Sequence, residues 1–152
     1  DKEIDISFIE EMPLGNIETH KRKETLMTSA ELRDLISFHY KLEPLGEPGK
    51  LDGPSRYYVM KDSSSKIGFI SPHSNNFCHL CNRVRVTAEG RLLLCLGHEN
   101  SIDLRAIIRD KSADFDDLKQ AIVTGLTNKP LRHEFREDQE PTIVRFMNAT
   151  GG

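Results

Sequence analysis

Phe77-Cys78-His79-Leu80-Cys81-Asn82-Arg83-Val84-Arg85-Val86-Thr87-Ala88-Glu89-Gly90-Arg91-Leu92-Leu93-Leu94-Cys95-Leu96 is the stretch on which the reading of this chain turns. Residues 83–88 and 91–96 are two strand-like runs on either side of a Glu89-Gly90 turn, so the spacing predicts a hairpin. A hairpin returns the chain to its start. The thirteen residues between Cys81 and Cys95 therefore bring the third thiol back toward the Cys78-x2-Cys81 pair. Strand alternation sets Arg83 and Arg85 on one face and Val84 and Val86 on the other, with Val86 expected to face the core.

Three cysteines, two of them separated by only two residues, do not make a disulfide framework; the pattern suits a metal or redox site in a reducing compartment. Three readings stand side by side. His98, two residues after Cys95, completes a Cys3His set for structural zinc. An iron–sulfur cluster usually takes four thiolates, so three would leave one iron open to an outside ligand. Buried inert cysteines suit this turn less well, because Asn82 and Arg83 are polar neighbours. Two guanidiniums directly after a metal ligand favour an anionic ligand over a merely solvated face.

The remainder reads as α+β. Residues 4–11 alternate as a strand. Residues 16–27 read as irregular, and Leu42 as part of a short extended piece. Thr28-Ser29-Ala30-Glu31 is a capping box that opens a helix over about 28–39. Residues 55–61 and 66–71 form a second hairpin, turning over 62–65. Asp103 and Asp114 cap two further helices, the second carrying Phe115, Leu118, Ile122 and Leu126 at helical spacing. Residues 128–140 are charged and loop-like.

Composition narrows the function. The chain has 152 residues and a formal net charge of −3, which argues against nucleic-acid or anionic-membrane binding. No apolar run approaches the length of a membrane span, and no secretory leader opens the chain, so a cytoplasmic location is expected. Beginning at Asp1 within an apolar alternation, it reads as a piece of a longer protein.

Residues 77–96 also carry a specific resemblance. The pattern F-C-x2-C-N-R-x-R-x-T, a short turn, then Cys-Leu is similar to the second cluster motif of the GTP 3′,8-cyclase family, molybdenum-cofactor biosynthesis protein A. Phe8-Ile9-Glu10 with Met12-Pro13, Gly53-Pro54 before Arg56-Tyr57-Tyr58, Ile67 to Pro72, Asp103-Leu104-Arg105 and Thr150-Gly151-Gly152 extend the likeness from end to end. Ser7 stands where that family commonly has Arg.

The resemblance implies the C-terminal part of a radical S-adenosylmethionine enzyme. An antiparallel sheet with flanking helices would close a partial TIM barrel. Residues 1–15 would be the last barrel strand and its loop, and residues 16–152 the iron–sulfur and GTP-binding domain. The family converts GTP to the cyclic pterin precursor of molybdenum cofactor. By the same resemblance Cys78, Cys81 and Cys95 hold a second 4Fe-4S cluster whose open iron takes the guanine. Arg83, Val84 and Arg85 contact GTP, Met12 lines the S-adenosylmethionine pocket, and Gly151 and Gly152 form a tail near the active site. The first-cluster motif C-x3-C-x2-C is absent, so the fragment alone is expected to be inactive. The implied partners are GTP and the N-terminal barrel, with room for a homodimer and none for nucleic acid or membrane. The alternative is a zinc-stabilised Cys3His module that binds protein or RNA.

Overall fold

The computed structural model describes residues 3–15, 21–46, 53–136 and 143–150. The chain divides into two compact units: Asp1–Met12 with Lys21–Leu80, and Pro13–His20 with Cys81–Gly152.

In the first unit, β1 (Ile6–Ile9) is followed by α1 (Arg22–Thr25), α2 (Ser29–Ser37), β2 (Leu42–Pro44), β3 (Arg56–Met60) and β4 (Ser63–Ile70). The strands form one sheet in the order β1-β4-β3-β2. The hairpin β3–β4 is antiparallel, as the sequence predicts, but its turn falls at Lys61-Asp62 and a register shift follows at Val59/Met60. The shift leaves two extra residues, Ser64 and Ser65, on β4, so pairing resumes at Ser63, closer to the turn than the turn-formers suggest. β1 runs parallel to β4, with Ile6 opposite Ile67 and Ile9 opposite Ile70. The sheet is therefore mixed, whereas the antiparallel sheet expected near the cysteines is the separate one of the second unit. The long connection between β1 and β4 carries two helices and two strands, and only such a crossover can deliver a parallel neighbour. Residues 22–25, read as irregular, make one helical turn.

Phe69 on β4 is buried, with Phe8 stacked at 6.0 Å and Tyr58 edge-on at 5.6 Å. α2 opens on the expected capping box: Thr28 Oγ1 accepts from the Glu31 amide at 3.2 Å, and Glu31 accepts from the Thr28 amide at 2.8 Å.

Glu10, directly after β1, ties this unit together. It is only 4% exposed. Its carboxylate accepts from the amides of Ser29 (2.8 Å), His73 (3.0 Å) and Ser74 (3.0 Å), and from the Ser74 hydroxyl. Burial alone would raise its pKa. The Ser29 amide, the Ser74 hydroxyl and amide, and the His73 amide outweigh burial and hold the carboxyl below its ordinary value. The unfolded chain therefore takes up the proton first as pH falls. The stabilisation is fully present above the ordinary 4.5 and is lost as pH drops through Glu10's lower folded value. Glu10→Ala should cost about 3 kcal/mol, because it orphans donors that now meet a charged acceptor. Urea melts should show a pH dependence below 4.5 that flattens in this variant.

In the second unit, β5 (Arg85–Val86), β6 (Arg91–Leu93) and β7 (Ser101–Asp103) form an antiparallel sheet in that order, and α3 (Leu104–Arg109) and α4 (Phe115–Thr127) follow. Asp103 caps α3 through the Ala106 amide, and Asp114 makes a full capping box with Asp117 on α4. Leu92, Leu94 and Leu104 form the core, with Ile102, Leu118 and Ile122 packed on it. The helix–sheet approach is close: a Cβ on Gly125 would lie 1.7 Å from Ile102 Cδ1. Leu14 pairs with Ile143, and the Gly15 amide donates to the Ile143 carbonyl at 2.8 Å.

Val86 is a correction. It is 55% exposed, and Val84 is exposed too, while Arg83 and Arg85 are half-buried. Alternation separated the two faces correctly but assigned the wrong one to the interior.

Candidate metal centre

The cysteines lie on short, well-braced segments. Cys78 opens a 3-10 turn, Cys78–Leu80, in the first unit. Its amide donates to Asn76 Oδ1 at 2.7 Å, and the Leu80 amide closes on the Phe77 carbonyl at 3.0 Å. This is the local competition by which an Asn side chain starts a turn. Cys81 and Cys95 belong to the second unit. All three are half-buried and none forms a disulfide.

The hairpin between Cys81 and Cys95 forms, though its paired strands are shorter than expected. Arg85 is opposite Leu93 and Val86 opposite Leu92. Gly90, at φ 78°, closes the turn: its amide donates to the Thr87 carbonyl and the Thr87 amide to the Arg91 carbonyl, each at 2.9 Å. Only glycine adopts that φ cheaply. β7, which the sequence did not reveal, then pairs with β6 and fixes both ends of the loop 94–100.

Two cations absent from the sequence reading brace this loop. Arg145 Nη2 donates to the carbonyls of Leu96 (2.9 Å), Cys95 (3.4 Å) and His98 (2.6 Å), while its Nη1 pairs with Glu99. Lys129 Nζ donates to the carbonyls of Leu94 (2.7 Å) and Arg83 (3.0 Å) and points at Cys81 Sγ, 3.9 Å away. Nothing in sequence spacing signals either residue, because both act from more than thirty positions away.

Gly97 is buried in the same loop, where a Cβ would lie 2.5 Å from His133 Cβ and 3.0 Å from the Phe135 ring. Gly97→Ala should therefore destabilise by about 2 kcal/mol, since a Cβ so close to backbone-proximal atoms forces a shift. A thermal melt of the metal-free protein reads this directly. His98 Nε2 donates to the Arg132 carbonyl at 3.0 Å, so as it stands that nitrogen is engaged away from any metal.

Of the other anticipated residues, Met12 is half-buried next to Glu11, whose carboxylate pairs with Arg22 Nε at 2.8 Å and whose carbonyl accepts from His73 Nε2 at 2.9 Å. Ser7 bonds the Ser55 hydroxyl at 3.0 Å and the Tyr57 hydroxyl at 3.4 Å. Gly151 and Gly152 lie outside the described residues. Among the described residues neither the Arg83 nor the Arg85 guanidinium has an ion-pair or hydrogen-bond partner, whereas Arg91 is held by Ser101 and Asp103.

Residues 4–135 match the family described as Molybdenum Cofactor Synthesis C. The chain belongs to that family. It is 54% identical to the GTP 3′,8-cyclase of Marinobacter nauticus over 151 residues, which is 99% of this chain and 45% of that protein. It is equally identical to the GTP 3′,8-cyclase of Saccharophagus degradans, covering 98% of this chain and 44% of that one. The GTP 3′,8-cyclase 2 of Pseudomonas aeruginosa is again 54% identical, over 99% of this chain and 45% of its own length. This family member thus spans just under half the length of the curated relatives it matches, and the match is to their C-terminal part. The likeness read from residues 77–96 is borne out. Among the described residues no helix is long and apolar enough to cross a membrane.

The donor set fits an iron–sulfur group. It consists of three cysteines in no disulfide, one facing a lysine ammonium, and two guanidiniums without a partner among the described residues follow directly. Among the described residues no group of three or more His, Cys, Asp or Glu side chains is arranged to hold a metal ion as it stands.

Proposed function

We propose that this chain is the part of a GTP 3′,8-cyclase that binds a second 4Fe-4S cluster and GTP, within a protein that makes the cyclic pterin precursor of molybdenum cofactor. The observation that carries the reading is the half-buried Arg83 and Arg85 pair, whose guanidiniums have no ion-pair or hydrogen-bond partner among the described residues and which begins two residues after a cysteine that already faces a cation.

Cys78, Cys81 and Cys95 would hold the cluster, each as a deprotonated thiolate. When bound, the cluster supplies an iron with an open position for the guanine. The chain's own residues position and compensate charge. Arg83 and Arg85 offer planar forks to anionic oxygens of the nucleotide, and Val84 between them offers an apolar contact. Half-burial strengthens those contacts, because the guanidiniums are partly shielded from water. Met12 would line the pocket for S-adenosylmethionine, residues 1–15 would be the last strand and loop of the N-terminal barrel, and Gly151 and Gly152 would approach the site. Radical generation belongs to that barrel, so the fragment alone does not turn over.

The test is GTP binding by the intact protein, before and after the metal is stripped under anaerobic conditions. Stripping should weaken GTP at least about tenfold, because fixing the base is assigned to the centre. Equal affinity in both forms contradicts the assignment. The rival reading, a Cys3His zinc module, requires His98; His98→Ala should leave metal uptake unchanged here and abolish tight zinc there.

A further inference from the structure

We infer that Lys129 is a positioning residue for the cysteine centre: its ammonium pins the Cys81 segment to the Cys95 segment and supplies the positive charge that a sulfur-bound anionic group faces. This rests on the proposed function above and deepens it.

Lys129 is held rigidly at its root. It follows α4, and its amide donates to the Leu126 carbonyl at 3.1 Å while the Asn128 amide closes on Gly125 at 2.9 Å. α4 is in turn packed on the leucine core through Leu118 and Ile122. The stem therefore starts from a fixed point, and the half-buried head loses little freedom in making its bonds.

An ammonium has three donors, and the three contacts of Lys129 account for all of them. Arg83 lies two residues after Cys81, and Leu94 directly precedes Cys95. A single atom thus joins the two chain segments that carry these ligands, and also touches one of the sulfurs.

The charge balance separates Lys129 from its neighbours. Arg145, which braces the same loop, has Glu99 as counter-ion. Arg91 has Asp103. Among the described residues Lys129 has no carboxylate partner, only two neutral carbonyls and a sulfur. A partly desolvated cation without a counter-ion is costly unless an anion completes it. Thiolates around a metal are that anion. A donor and positive charge at a ligating sulfur stabilise the reduced, more negative state of an iron–sulfur group.

The experiment uses Lys129→Met, which keeps the stem and removes the charge, and Lys129→Arg, which keeps the charge and the donors. Each is made in the intact protein and reconstituted anaerobically with iron and sulfide. Two quantities are read: the rate at which a chelator strips the iron, and the reduction potential of the remaining centre. Lys129→Met should lose iron at least about tenfold faster and show a more negative potential, while Lys129→Arg should stay close to the unaltered protein in both. The melting temperature of each metal-free variant is measured alongside. Wild-type stripping and potential in Lys129→Met overturn the inference. So does equal impairment of both variants in step with lost thermal stability, since packing alone would then suffice. Failure of the unaltered protein to take up more iron than a single four-iron cluster holds, about four per chain, defeats the centre itself, a result that neither variant can mimic.

Discussion

Cys95→Ser in the intact protein loses the iron of this centre and lowers turnover by at least about a hundredfold, a larger loss than that from disturbing an outer-shell partner. Serine keeps the shape of the side chain but not its chemistry. Its hydroxyl does not ionise near neutral pH, whereas the thiolate is the ligand that iron–sulfur groups select. Folding should survive. The loop around Cys95 is held through main-chain carbonyls by Arg145 and Lys129, and none of those bonds uses the thiol. The metal-free variant should therefore still melt cooperatively, since those main-chain braces remain. Iron analysis and a thermal melt on the same sample separate loss of the ligand from loss of the fold. Retained iron with full turnover would remove Cys95 from the ligand set.

The second large effect is on substrate. Arg85→Ala should weaken GTP by about ten- to a hundredfold, the range expected for losing a charge-assisted fork at a partly desolvated site. Cleavage of S-adenosylmethionine in the absence of GTP should persist, because Arg85 is assigned to the nucleotide alone. Arg85→Lys should fall between the two, since it keeps charge but loses the planar bidentate geometry. The unfolding free energy should barely move, because among the described residues the guanidinium has no partner to lose. Unchanged GTP affinity in Arg85→Ala would take the residue out of the binding site.

Local chemistry made much of this protein legible from sequence. Thr28 and Asp114 announced their helices because a capping box is satisfied within four residues. The hairpin between Cys81 and Cys95 was legible because Gly90 supplies the positive φ of its turn. What depends on distant neighbours was not. The parallel pairing of β1 with β4 is decided by a crossover, which no period-2 pattern encodes. β7 is a three-residue strand whose Asp103 reads as a helix cap, and it serves as one as well. Val86 shows the limit of alternation, which sorts side chains into two faces but leaves open which is covered.

The same division runs through the candidate centre. Cysteine spacing and the adjacent arginines lie within twenty residues and were readable. Lys129 and Arg145 reach the cysteine loop from the far side of α4 and from the C-terminal segment, and in sequence each is an ordinary surface cation. Glu10 likewise reads as the end of a strand, and only the fold brings the amides of Ser29, His73 and Ser74 to its carboxylate.

The most direct measurement is the iron and acid-labile sulfide content of the anaerobically reconstituted chain, with GTP binding determined on the same sample. A three-cysteine cubane predicts about four irons and four sulfides per chain, together with GTP retention that Cys81→Ser abolishes. One tightly held zinc per chain, or nucleotide bound equally well with no metal present, would contradict the account.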